Sequence, residues 1–144
     1  MIETSIQDQL KLTKAFNHAK VYSVIGTKVL VIEATREYIP IEEFKTVFAY
    51  VGEIVKQEKV AKLIFDKRAL RIFHQPSMEW YFIDWKEEMW GYGLRTHRKL
   101  LPEDTIFRES VKIGREKIFR ENPRLKAREM DIQYREDLVA AIED

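Results

Sequence analysis

The 144-residue sequence predicts an α/β domain, a central mixed β-sheet of about five strands covered by helices, in the order β-β-α-β-α-β-α-β-α. Three observations predict it. Two runs rich in β-branched residues, VYSVI (21–25) and VLVIEAT (29–35), flank Gly26-Thr27-Lys28 and read as a hairpin. A largely apolar run ending in an acid, VAKLIFD (60–66), suits a buried interior strand. Each later strand is followed by a segment of helical periodicity, which argues for parallel pairing.

The elements follow in order. Residues 1–19 are polar and read as an N-terminal extension, with Ile6, Leu10 and Phe16 spaced for a short helix; residues 20–144 form a single domain. After the hairpin, Pro40 suits a first helical turn, and Ile41, Phe44, Val47, Phe48, Val51, Ile54 and Val55 recur on one helical face up to Gln57. Beyond strand 60–66, Ser77 is placed to cap a helix that Gly91 and Gly93 stop. A short strand is expected within LRTHRKLLP (94–102). The next helix starts at Glu103-Asp104, carries Phe107, Val111, Gly114 and Ile118 on one face, and ends at Asn122-Pro123. Gly114 on that face lets a neighbouring element approach closely. MDIQY (130–134) alternates as a strand, and EDLVAAIED (136–144) closes the chain as a short helix with Leu138, Ala141 and Ile142 inward.

Composition narrows the function classes. Lys plus Arg number 25 against 24 for Asp plus Glu, so no long-range attraction for phosphates or anionic lipid is built in, and nucleic acid is a poor partner. The basic pieces RTHRK (95–99) and RLKAR (124–128) have acids nearby, which weakens the same case. Without cysteine there is no disulfide, thiolate nucleophile or Cys-based metal site. The opening residues carry no basic leader followed by an apolar stretch, so a cytoplasmic protein without membrane insertion is expected.

Candidate chemistry is sparse. His18, His74 and His97 lie far apart and share no metal-ligand spacing, so neither metal nor cofactor is expected. Adjacent carboxylates, Glu42 with Glu43 and Glu87 with Glu88, diverge by about 100° on a helix and cannot work as an acid/base pair. Phosphate-loop, dinucleotide and nucleophile-elbow motifs are lacking, which weighs against an enzyme without deciding it. Asp66, Arg68 and His74 surround the loop after the central strand and could form a polar cluster at the carboxyl edge of the sheet, where α/β proteins often bind ligands. A solvated loop with a local ion pair accounts for the same residues.

The segment SMEWYFIDWKEEMW (77–90) holds three tryptophans. At about 100° per residue, Met78, Tyr81, Phe82, Trp85 and Met89 make one core stripe. Trp80, Ile83 and Trp90 project to a second side, with Glu87 among them and Lys86 and Glu79 at its border. Large aromatics gathered on a second side suit an interaction surface, with intramolecular cover as the competing explanation.

The early hairpin, the helix IEEFKTVFAYVGEIV, the strand KLIFD, the stretch LRTHRKLLPEDTIFRESVKIGREKI and the closing MDIQYREDLVAAI together resemble SpoIIAA-like proteins of the STAS superfamily over residues 20–144. In STAS domains that antagonise anti-sigma factors, a strand ending in Asp leads to an Asp-Ser pair followed by Gly-Leu, and the serine is the phosphoacceptor. By this resemblance Ser77 is the matching hydroxyl. It departs from the pattern in lacking the preceding acid and the Gly-Leu pair. The family's broad likeness to CRAL-TRIO lipid-binding domains implies an apolar ligand as an alternative, a fold-level analogy only.

Two functions are therefore expected. The first is a non-enzymatic STAS-like regulatory or interaction domain that binds a protein partner and pairs as a homodimer through Trp80, Ile83 and Trp90. The alternative is a small-molecule or lipid binder with a pocket at the sheet edge near Asp66, Arg68 and His74.

Overall fold

A computed structural model describes residues 4–144. Six strands form one mixed sheet: β1 (Leu10–Ala15), β2 (Ala19–Val24), β3 (Val29–Ala34), β4 (Lys62–Asp66), β5 (Thr96–Leu100) and β6 (Asp131–Tyr134). They lie side by side in chain order, antiparallel through β3 and parallel from β3 to β6. Helices α1 (Ile41–Glu58), α2 (residues 75–90) and α3 (Thr105–Glu121) bridge the parallel strands, and α4 (Leu138–Glu143) follows β6. Among the described residues no helix is long and apolar enough to cross a membrane.

β1 corrects the sequence expectation, which placed a short helix around Ile6, Leu10 and Phe16. A 3-10 turn over Thr4–Gln9 gives way to an edge strand whose side chains after Leu10 are all exposed. Backbone pairing with β2 holds it there, so no alternation of apolar residues announces it. The register slips between Leu12 and Lys14, and the Thr13 hydroxyl donates to the Val21 carbonyl at 3.1 Å. Residues 1–3 of the expected extension lie outside the described residues.

The rest of the order follows the sequence. Gly26 takes φ 79° in the β2–β3 turn, the left-handed conformation a tight hairpin needs. In α1, Phe44, Val47, Phe48, Val51 and Val55 are buried, as the spacing predicts. Asp104 caps α3 by accepting from the amides of Ile106 and Phe107, and Phe107, Val111, Gly114 and Ile118 are its buried face.

Alternate residues along the strands feed two cores. Leu30, Ile32, Leu63 and Phe65 pack with α1, α2 and α3 on one face. Val31, Ile64 and Leu100 pack with Ile6, Leu138 and Ala141 on the other. Because the strand order never reverses, the sheet lacks the crevice that a topological switch point creates.

Candidate functional site

The site is built where β4 and β5 run beneath α2. α2 consists of an α-helical turn over Gln75–Glu79, a π-helical segment over Trp80–Trp85 and a second α-helical piece over Lys86–Trp90. At its π segment the Lys86 amide donates to the Tyr81 carbonyl, five residues back. This extra residue per turn carries Lys86 onto the sheet-facing side. The 100° wheel placed Lys86 at the border of the second side; in the structure it is fully buried.

β5 supplies the opposing groups. In register with Leu63 and Phe65 of β4, His97 and Lys99 point from the sheet towards α2, and both are buried. The RTHRK segment is thus largely interior rather than a basic surface. Arg98 points to the other face, where it pairs with Asp131 at 2.9 Å and with Asp144.

Around α2 these side chains enclose a basic, aromatic interior. The Lys86 ammonium nitrogen stands 3.6 Å from the Phe82 ring centre and 4.6 Å from that of Tyr81. That of Lys99 lies 4.7 Å and 5.8 Å from the same two rings. Among the described residues neither amine has a hydrogen-bond partner, nor has the Tyr81 hydroxyl or His97 Nε2. Burial holds both lysines well below the ordinary range; Lys67 lowers both further, and Lys86 lowers Lys99. His97 is likewise held well below its usual range, chiefly by burial and then by Lys86 and Lys99, so its ring is neutral. Tyr81 is pushed up by burial and keeps its proton.

Lys67, the residue after β4, connects this interior with the outside. It is 9% exposed, and its amine lies 4.9 Å from the Phe65 ring centre. Burial, then Arg115, lowers it to about 8. Lys67 lines a mainly apolar, open cavity of about 50 Å³ under the 66–75 loop. Phe44, Leu70, Phe73, Met78 and Phe107 supply apolar wall, and Tyr81, His74 and Ser77 supply polar groups.

His74 and Ser77 meet at the start of α2. His74 Nδ1 lies 2.8 Å from Ser77 Oγ and accepts from the Ser77 amide at 3.3 Å, so Nε2 carries the proton of the neutral ring. His74 is therefore the N-cap, not Ser77 as the sequence suggested, because Gln75 and Pro76 already occupy the first helical turn. Ser77 is buried inside that turn with its hydroxyl engaged.

Of the expected polar cluster, only His74 lines the cavity. Asp66 and Arg68 form a separate two-pronged pair, Nε to Oδ1 at 2.9 Å and Nη2 to Oδ2 at 2.8 Å, which fixes the loop at its root. Between them, Lys67 faces the cavity. Asp66 is buried and Arg68, partly exposed, pairs with it.

The core stripe is as the spacing predicts: Met78, Tyr81, Phe82, Trp85 and Met89 are all buried. Trp80, Ile83 and Trp90 are half-buried and pack against the same core. Trp80 meets Phe44 edge-on at 6.0 Å, and the Arg95 guanidinium lies 3.6 Å over Trp90. Their own chain supplies this cover.

Sequence reasoning missed Lys67, Lys86 and Lys99 as a group. One signal was available: three consecutive polar residues, His97, Arg98 and Lys99, in a strand flanked by strands on both sides, cannot all reach solvent when both faces are covered. Comparisons with protein-family models, curated proteins and solved structures found no match.

Proposed function

We propose that this domain binds a small amphipathic anion in the cavity under the 66–75 loop. One observation carries the reading: the Lys67 amine lines the cavity, and beside its Tyr81 wall the buried amines of Lys86 and Lys99 have no hydrogen-bond partner among the described residues. Buried amines without a hydrogen-bond partner are costly, and a fold tolerates them where a ligand or a reaction makes use of them. Apolar walls suit the hydrocarbon part of the ligand, and Lys67, with His74 and Ser77, suits its charged end.

Thermal unfolding with hexanoate, phenylacetate and 3-phenyllactate, each beside its uncharged amide, tests the reading. A ligand at a hundred times its Kd stabilises by about 2.7 kcal/mol. The acids are expected to raise Tm, the amides to do so far less, and Lys67→Met to remove the difference. Equal response to acids and amides, or none to either, overturns it.

The SpoIIAA-like interaction domain, a cytoplasmic homodimer, is our second reading. The hairpin followed by strand-helix units supports it, as do the half-exposed edges of Trp80, Ile83 and Trp90. Its test is oligomeric mass by light scattering, in which Trp80→Ala with Trp90→Ala should convert a dimer to a monomer. A monomeric wild-type chain removes the self-association reading.

A further inference from the structure

The binding reading leaves one group with more to do than attract charge. Lys67 is an amine held at the edge of an apolar cavity, against the Phe65 ring, with no carboxylate or hydrogen-bond acceptor engaging it among the described residues. Two proton-handling side chains, His74 and Ser77, line the same cavity and are already hydrogen-bonded to each other. Beside the Tyr81 wall of the cavity lie the buried amines of Lys86 and Lys99, and Arg115 acts on Lys67 through its charge.

We infer that Lys67 is a nucleophile that captures the carbonyl group of a small oxo acid as an imine in this cavity, an inference that rests on the binding reading above. An unpaired amine in an apolar pocket among other cationic groups is the environment that activates lysine for such chemistry. With its ordinary value lowered to about 8, an appreciable share of Lys67 is neutral at physiological pH, whereas a surface lysine is almost wholly charged.

The step balances without any oxidant or reductant. The Nζ lone pair forms a bond to the carbonyl carbon, and the carbon-oxygen π pair moves to oxygen. A proton passes from nitrogen to that oxygen, giving a carbinolamine. A second proton, relayed from solvent through His74, lets the oxygen leave as water while the nitrogen lone pair closes the double bond. The product is a protonated imine, whose positive charge the carboxylate of the same oxo acid offsets. Ordered His74 and Ser77 supply the proton path, and the apolar wall disfavours return of water.

The full chain is incubated near neutral pH with phenylpyruvate and cyanoborohydride, which reduces an imine to a stable amine, and the adduct is mapped by peptide mass spectrometry. Lys67 is expected to be modified on the order of a hundredfold faster than surface lysines. Lys67→Met should abolish that adduct; it replaces a buried amine by a side chain of similar length and should fold, which thermal unfolding checks. Even if that variant fails to fold, adducts spread over surface lysines of the wild-type chain with no preference for Lys67 overturn the inference. 3-Phenyllactate, which has a hydroxyl in place of the keto oxygen, separates the two claims. If it stabilises the chain but phenylpyruvate is not captured at Lys67, the imine falls and binding stands. If neither compound binds, both fall.

Discussion

The backbone amide of Lys86 donates to the carbonyl of Tyr81, five residues back, and that one hydrogen bond sets Lys86 over the Phe82 ring inside the protein instead of on its surface. An α-helical register would pair Lys86 with Phe82 and turn its side chain towards the second side of the helix. The π segment thus brings a helix lysine against the strand lysine Lys99. Its consequences can be measured.

Lys86→Met and Lys99→Met should each stabilise the fold, on the order of 1–4 kcal/mol, because a buried group without a partner is replaced by an apolar one of similar length. Chemical denaturation checks this through an increased midpoint at unchanged slope. Loss of stability in both variants would mean that the amines are satisfied by something bound.

Stability should rise with pH above about 8. Lys67 has a lowered value of about 8 in the folded chain against 10.5 when unfolded, so over this window the unfolded state binds more protons and raising pH favours the folded one. The share of Lys67 in this gain approaches about 3 kcal/mol by the upper end, and Lys86 and Lys99 add to it in the same direction. Burial and Glu33 raise Tyr22 to about 12, and Tyr81 is raised too; above pH 10 the unfolded tyrosines ionise first and the trend reverses. Denaturation midpoints across pH 7 to 12 should therefore pass through a maximum near 10, and Lys67→Met should lower the slope of the rising limb without abolishing it, because Lys86 and Lys99, also held below their ordinary range, keep contributing to it.

Gly114→Ala should destabilise by about 1–3 kcal/mol. A Cβ there would meet Gln75 Oε1, Phe73 Cζ at 3.0 Å and Met78 Sδ at 3.2 Å, where α3 leans on the start of α2. Since Phe73 and Met78 also line the cavity, the same variant should weaken ligand-induced stabilisation in the thermal assay.

Trp85→Phe removes the indole donor that reaches the Phe48 carbonyl at 2.7 Å between α2 and α1. Losing this second hydrogen bond, while the Phe48 carbonyl keeps its helical one, should cost about 0.5–1.5 kcal/mol, read as a lower Tm with the circular-dichroism spectrum unchanged.

Much of the fold was legible in the sequence because it rests on local periodicity. The α1 stripe, the Phe107-Val111-Gly114-Ile118 face and the Gly26 hairpin each follow from spacing within one segment. β1 was not legible, since an exposed edge strand is held by backbone pairing and leaves little mark on side-chain order. The site was partly legible. His74 lies at the cavity as expected, but Asp66 and Arg68 are spent on each other and the residue between them faces inward.

By itself, then, the sequence determined the α/β class, most of the element order and the core stripe of α2, all consequences of hydrophobic period. Only the tertiary structure decided that Trp80 and Trp90 are covered by Phe44 and Arg95, and that Lys67, Lys86 and Lys99 share one interior. Those lysines come from a loop, a helix and a strand, and their meeting depends on strand register and on a helix that departs from 3.6 residues per turn, neither of which a one-segment pattern encodes.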